Sequence, residues 1–206
     1  MTSKIPMQDA ETGTRLGEVV EASSAAFTVQ CYDLYGAPAL GALVRTGKDS
    51  PVYGVVRNVV TSPMDPGRRP VARGQNEADE EAVYQSNPQL AALLRTDFQA
   101  TIVGYPGSIG TGMRYGLPSH PPRIHAFVHV CAPPEVSAFT KDLRFLPLVL
   151  AGAATEADEV VAAFLRQAAS AQADPHEFLI TAGRQMARLL SRDLQRLNAI
   201  LGSLQP

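Results

Sequence analysis

The sequence predicts an α+β fold: an N-terminal six-stranded antiparallel β-barrel with a helical insertion, followed by C-terminal α-helices. Two observations carry this. From Arg15 to Thr61 the chain is rich in valine and aromatic residues and is broken every 8 to 12 residues by turn chemistry, the rhythm of short antiparallel strands. After Cys131 alanine and leucine rise, valine falls and helix-capping residues appear.

Four strands are expected first, over Arg15 to Ala22, Ala25 to Tyr32, Ala39 to Thr46 and Pro51 to Thr61. Ser23-Ser24, Asp33 to Pro38 and Gly47 to Ser50 separate them. In the second, Phe27, Val29 and Cys31 share one face while Thr28, Gln30 and Tyr32 share the other, so one face is inside and one is wet. Residues 62–75 form a loop by their prolines and glycines. Asn76 then offers a cap for a helix through Glu80, Val83 and Tyr84, which Pro88 interrupts, and Gln89 to Arg95 forms a second short helix. The insertion therefore occupies about 76–95. Asp97 to Tyr105 and Ile124 to Val130 alternate again and supply strands five and six. Closure into a barrel is how so small a sheet avoids free edges.

In the C-terminal region, Thr155 precedes a helix over Glu156 to Gln172, and Asp174-Pro175-His176-Glu177 supplies the cap, proline and acid that open the last one. Along it Leu179, Ala182, Met186, Leu190, Leu194, Leu197, Leu201 and Leu204 recur at spacings of three and four, predicting one apolar stripe over about seven turns. Arg184, Arg188, Arg192 and Arg196 line a different face, read as the wet one. The expected domains are a flexible N-terminus over 1–14, the barrel over 15–131 and helices over 132–206.

A chain of 206 residues buries a real core, and 18 basic against 20 acidic side chains pull it toward neither nucleic acid nor an anionic membrane. Cys31 and Cys131 stand alone and far apart, which reads as two reduced, buried thiols. Met1 to Thr14 lacks the charged start and apolar run of a secretory signal, and Phe145 to Ala154 is about half of a bilayer span. A cytoplasmic location is expected.

No complete catalytic motif is present in the sequence, so the chain is read as a non-enzyme without a cofactor or metal. The glycines of Gly104 to Gly116 could let backbone N–H groups approach an anion, yet no Gly-Lys-Ser/Thr triplet exists and the prolines of Leu117 to Arg123 forbid a following helix. His125 and His129 share one face of strand six with Phe127 between them. A metal there would need His120 or Cys31, and no CxxC or HExxH supports it. No GxSxG accompanies any histidine. Arg68, Arg69 and Arg73, with Arg114 and Arg123 from the second excursion, could form one basic patch for phosphates or a partner. Asp65, Glu77, Asp79, Glu80 and Glu81 flank the first loop and favour a mixed-charge surface, the last three lying near a helix start where negative charge is stabilised.

The run RLGEVVEASSAAFTVQCYD, then ALGALVRTG, VYGVVRNVV and, after the insertion, PQLAALLRTDFQATIVGY resembles the HAS-barrel, the HerA and ATP synthase barrel. The resemblance spans roughly Arg15 to Cys131. It implies a module that holds ring subunits together or docks partners, next to a motor domain that hydrolyses ATP. Here about 75 residues of helix, without either Walker motif, stand in the motor's place. The expected function is therefore non-catalytic assembly or adaptation, for a separately encoded HerA-like ATPase. The alternatives are a nucleic-acid-binding accessory using the arginine loops, and an unrecognised nucleotide binder or enzyme using the glycine loop. The stripe Met186, Leu190, Leu194, Leu197, Leu201 and Leu204 either covers the barrel or meets a partner or second copy.

Overall fold

A computed structural model describes residues 13–48, 50–107, 112–152 and 154–204. The reading of 1–14 as flexible falls mostly outside these. Seven antiparallel strands form one sheet: β1 (Arg15–Ala22), β2 (Ala26–Cys31), β3 (Leu43–Thr46), β4 (Val52–Pro63), β5 (Leu94–Pro106), β6 (Met113–Arg114) and β7 (Phe127–Val130). The order is β2-β1-β7-β3-β4-β5-β6, and β2 also pairs with β5. Six strands, all but β6, thus join in a ring of ladders. Sequence reading missed β6, a two-residue strand too short to alternate, which pairs with Tyr105 and Pro106.

Two cores result. Val19, Phe27, Val29, Cys31, Val44, Val56, Phe98, Ala100, Ile102 and Val128 fill the ring. Leu43, Tyr53, Val55 and Val103 point the other way, into a second core with the helices. The wall β3–β4–β5 is buried on both faces, which is why VYGVV and TIVG read as continuous apolar runs while β2 alternates. Gly54 makes room inside: a Cβ there would lie 2.9 Å from both the Phe27 ring and Ala100.

The insertion holds α1 (Glu80–Ser86) and α2 (Leu90–Leu93). Asp79, not Asn76, caps α1, its carboxylate accepting from the Ala82 N–H at 2.8 Å. No α1 residue is buried; its Tyr84 hydroxyl meets that of Tyr35 at 2.5 Å, with the rings edge to face. The helical side comprises α3 (Pro133–Phe139), α4 (Leu146–Leu150), α5 (Ala154–Ser170), α6 (Pro175–Leu189) and α7 (Leu194–Gly202). Tyr53, Phe139, Phe145 and Phe164 stack in sequence with centroids 5.0, 5.1 and 5.2 Å apart, joining β4 to α5.

The single last helix expected from the stripe is two. Asp193 accepts from the Arg196 N–H at 3.1 Å and opens α7 as an N-cap, so the Ser191-Arg192-Asp193 stretch breaks the helix by offering the backbone local partners. The break rotates the second half. Met186, Leu190 and Leu197 are buried, and Leu201 and Leu204 pack against the core, but Leu194 is 64% exposed and Ile200, off the expected stripe, is buried. Arg196 leaves the wet face: its Nε lies 2.6 Å from Asp158 and its Nη2 donates to the Leu150 carbonyl. The stripe covers this chain's own core.

Two stability predictions follow from the packing. Leu197→Ala should cost about 2–5 kcal/mol and Leu194→Ala under about 0.5 kcal/mol in urea unfolding. Gly41 adopts φ +81° with the α5 backbone against it, a Cβ falling 2.4 Å from the Phe164 nitrogen. Gly41→Ala should therefore cost about 1–3 kcal/mol by the same measurement.

Candidate functional site

The structure divides the expected arginine patch. Arg68 faces Asp65 at 3.6 Å and Arg73 donates to Asn87 Oδ1 at 3.2 Å, both in the excursion that leaves β4 at Pro63 and returns at Leu94. Arg69 lies in that same exposed excursion. Arg114, in β6, pairs with Tyr105 toward the other end of β5. At about 3.3 Å per residue, the strand from Leu94 to Tyr105 runs about 36 Å. Arg123 precedes β7, where its carbonyl accepts from the Ala126 N–H. Nothing brings all five together.

The glycine loop lies partly outside the described residues, at 108–111. Within the rest, Gly107 N–H bonds to the Gly112 carbonyl and closes the β5–β6 hairpin. Gly104 is glycine because β6 and α3 crowd it: a Cβ would lie 2.8 Å from the Arg114 carbonyl and 3.4 Å from the Phe139 ring.

Polar chemistry gathers instead on the outer face of β2, β1, β7 and β3. Glu18 of β1 accepts from Tyr32 Oη at 2.9 Å and meets His125 Nδ1 at 2.8 Å. These hydrogen bonds, His125 first and Tyr32 next, hold the Glu18 carboxyl below its ordinary range. His125 does not extend β7 as the alternation suggested; it sits in a turn with φ +66°, its N–H bonded to the Val19 carbonyl. Its side chain stays 79% exposed. Burial, then Glu18, pushes the Tyr32 phenol up to about 12.

In the same band Arg15 lies opposite His129, and His129 lies opposite Arg45. Directly opposed residues sit about 4.5–5.5 Å apart at Cβ and interact. Burial first, then Arg45 and Arg15, depresses the His129 pKa, so the ring is neutral at pH 7. The Arg15 guanidinium covers the Phe127 ring at 4.2 Å, and Phe127 remains 45% exposed. Arg45 Nε lies 3.0 Å from Glu135, which also accepts from Tyr53 Oη at 2.9 Å. One carboxylate in the first turn of α3 thus pins the helix to β3 and β4. Burial, then Glu135, raises the Tyr53 pKa.

Burial pushes the Cys31 thiol up to about 11 and the Cys131 thiol higher still, away from the thiolate a nucleophile needs. The two lie in different cores. Among the described residues no three His, Cys, Asp or Glu side chains are grouped to hold a metal ion, and His120 is exposed. An apolar cleft of about 190 Å³, lined by Gly41, Leu43, Cys131, Val136, Phe164 and Gln167, lies where ring and helices join.

Sequence reading noticed His125, Phe127 and His129 but missed Arg15, Glu18 and Tyr32 as their neighbours. The available signal was an aromatic residue sharing a strand face with histidines, opposite the Val128 face. Arg15 and Glu18 come to this face by register across more than 100 residues, which no local pattern carries, and Tyr32 joins Glu18 through the neighbouring β1–β2 hairpin.

Because the folded state holds His129 neutral while the unfolded chain takes up a proton near 6.5, His129 contributes stability above that pH. That contribution is lost as pH falls through 6.5 toward the depressed folded value. The urea midpoint should decline from pH 7 to 5, and His129→Asn should flatten the decline. Compared with known proteins, the chain matches no family model and no curated protein.

Proposed function

We propose that the chain is a non-catalytic assembly or adaptor module whose six-strand ring is a HAS-type barrel, docking to a separately encoded HerA-like ATPase. The observation that carries this reading is the face of β2, β1 and β7 that the helices leave open. There Tyr32 and Phe127 are 52% and 45% exposed, with the Arg15 guanidinium over the Phe127 ring. Exposed aromatic and apolar side chains with an arginine, rimmed by polar groups, have the composition of an interface core. The helices cover the opposite wall, β3–β4–β5, so this barrel has one face committed to its own core and one that no helix among the described residues covers.

The nucleic-acid reading loses its sequence-level support because the arginines separate, and Arg68 and Arg73 have partners of their own. Glu18 and Glu135 balance the cations of the open face. A cytoplasmic adaptor accords with the absence, among the described residues, of any helix long and apolar enough to cross a membrane.

The test mixes the purified chain with a purified HerA-like ATPase at about 10 μM and follows the complex by size exclusion with light scattering. A stable complex is expected. Phe127→Ala together with Arg15→Ala should weaken it by about 2 kcal/mol or more, roughly thirtyfold, with unchanged circular dichroism. Failure of the two proteins to comigrate would remove the adaptor reading.

A further inference from the structure

Beyond Val56 the strand β4 outruns the ring. Val56 exchanges hydrogen bonds with the loop before β3: its N–H reaches the Ala42 carbonyl and its carbonyl accepts from Gly41. A register shift then separates Val56 from Asn58, and from Asn58 to Pro63 the only strand beside β4 among the described residues is β5. From Asn58 to Val60 β4 is the edge of a three-stranded β4–β5–β2 segment, since Gln99, Phe98 and Asp97 also pair with Thr28, Val29 and Gln30, and from Thr61 to Pro63 β4 and β5 run on as a pair. The pairs Asn58–Gln99, Val60–Asp97 and Ser62–Arg95 lead to Met64, whose N–H bonds to the Leu93 carbonyl. In an antiparallel ladder such pairs alternate, so Asn58, Val60 and Ser62 spend their backbone groups on β5. Val59 and Thr61 turn theirs to the open side, with no backbone partner there among the described residues.

Protection of the open edge is confined to its two ends, the irregularity at Arg57 and Pro63, and Val59 to Thr61 between them carry neither lysine nor proline. Natural edges carry lysine, proline, inward charge or a cover. Here Val59 and Val60 are 41% and 46% exposed, on opposite faces of the sheet, and the register shift comes before them rather than among them. The nearby charges are already engaged: Arg57 donates to Gln99 Oε1 at 3.3 Å, and Arg95 pairs with Asp97 at 3.0 Å. A ligand at the middle of this edge meets valine side chains and free peptide groups, and at the Arg57 end a guanidinium held by the neutral Gln99 amide.

From this geometry we infer that the β4 edge over Arg57–Thr61 binds a short extended segment of a partner protein as an added strand, apolar at alternate positions and uncharged in its middle. Main-chain hydrogen bonds to Val59 and Thr61 hold it, and Val59 and Val60 select its side chains. A second copy is the poorer occupant. Edge-to-edge pairing centred on Val59 would engage five residues from each chain, whereas a stable specific interface takes about 20–30 residues a side. The inference stands apart from the docking reading of the Phe127 face, which it neither needs nor supports.

The test pans the full chain against a phage-displayed library of random linear peptides and measures binding of the enriched sequences as synthetic peptides. Hydrogen exchange on the complex then locates them. Enriched peptides should alternate apolar residues and slow exchange at the amides of Val59 and Thr61. Thr61→Pro removes an N–H that β5 does not use, and Val60→Lys places a charge beside the edge; each should weaken binding at least tenfold. Val60→Lys is a surface change that decides the matter if Thr61→Pro disturbs folding. A library that yields no binder, peptides that bind both variants unchanged, or protection confined to Tyr32 and Phe127 would overturn the inference. Phe127→Ala leaves strand addition intact, so the two surfaces are judged separately.

Discussion

The aromatic column from Tyr53 through Phe139 and Phe145 to Phe164 is the contact on which the rest of the molecule depends. It starts on the outer side of a strand whose neighbours Val52 and Val56 face the interior of the ring, and it ends in the helix at the centre of the second core. Ring and helices therefore share a wall rather than a linker. Aromatic rings at such spacings contribute more than their buried area alone. Glu135 adds direction, since Tyr53 and Arg45 both bind it and fix where α3 starts.

That shared wall decides what remains outside. With β3, β4 and β5 covered, the polar and aromatic side chains of β2, β1 and β7 have no partner layer among the described residues, and the end of β4 has a strand on one side only, β5. The imidazoles mark the boundary. His129 sits between two guanidinium groups at the edge of the covered wall, while His125 is tethered to Glu18 on the open side. The two thiols are buried, one in each core.

Much of the strand layout is legible in the sequence because half-buried strands announce themselves by alternation and Ser23-Ser24 by turn chemistry. β1 falls where the pattern puts it, from Arg15 to Ala22. Elements fail where a tertiary or local partner overrides the pattern. β3 begins four residues later than the apolar run suggests, at Leu43, because Gly41 turns under α5. β5 begins three residues early, at Leu94, because it continues pairing with β4. The last helix breaks at a capping aspartate that lies among leucines spaced as if it were continuous. The candidate face was the least legible part, since Arg15, Glu18, Phe127 and His129 become neighbours only through the pairing of the first strand with the last.

That pairing also orders the chain in time. β7 fills a slot between β1 and β3, and no other strand among the described residues borders them there. Until the ribosome has released Val130, both flanking strands present bare edges, and the helices that bury the outer wall follow later still. A ring that needs β7 beside β1 cannot close until more than 100 residues after Arg15 have been made, and contacts of such separation form slowly. The nascent chain thus passes through a stage in which the same kind of open edge that β4 keeps in the finished protein runs along the ring itself.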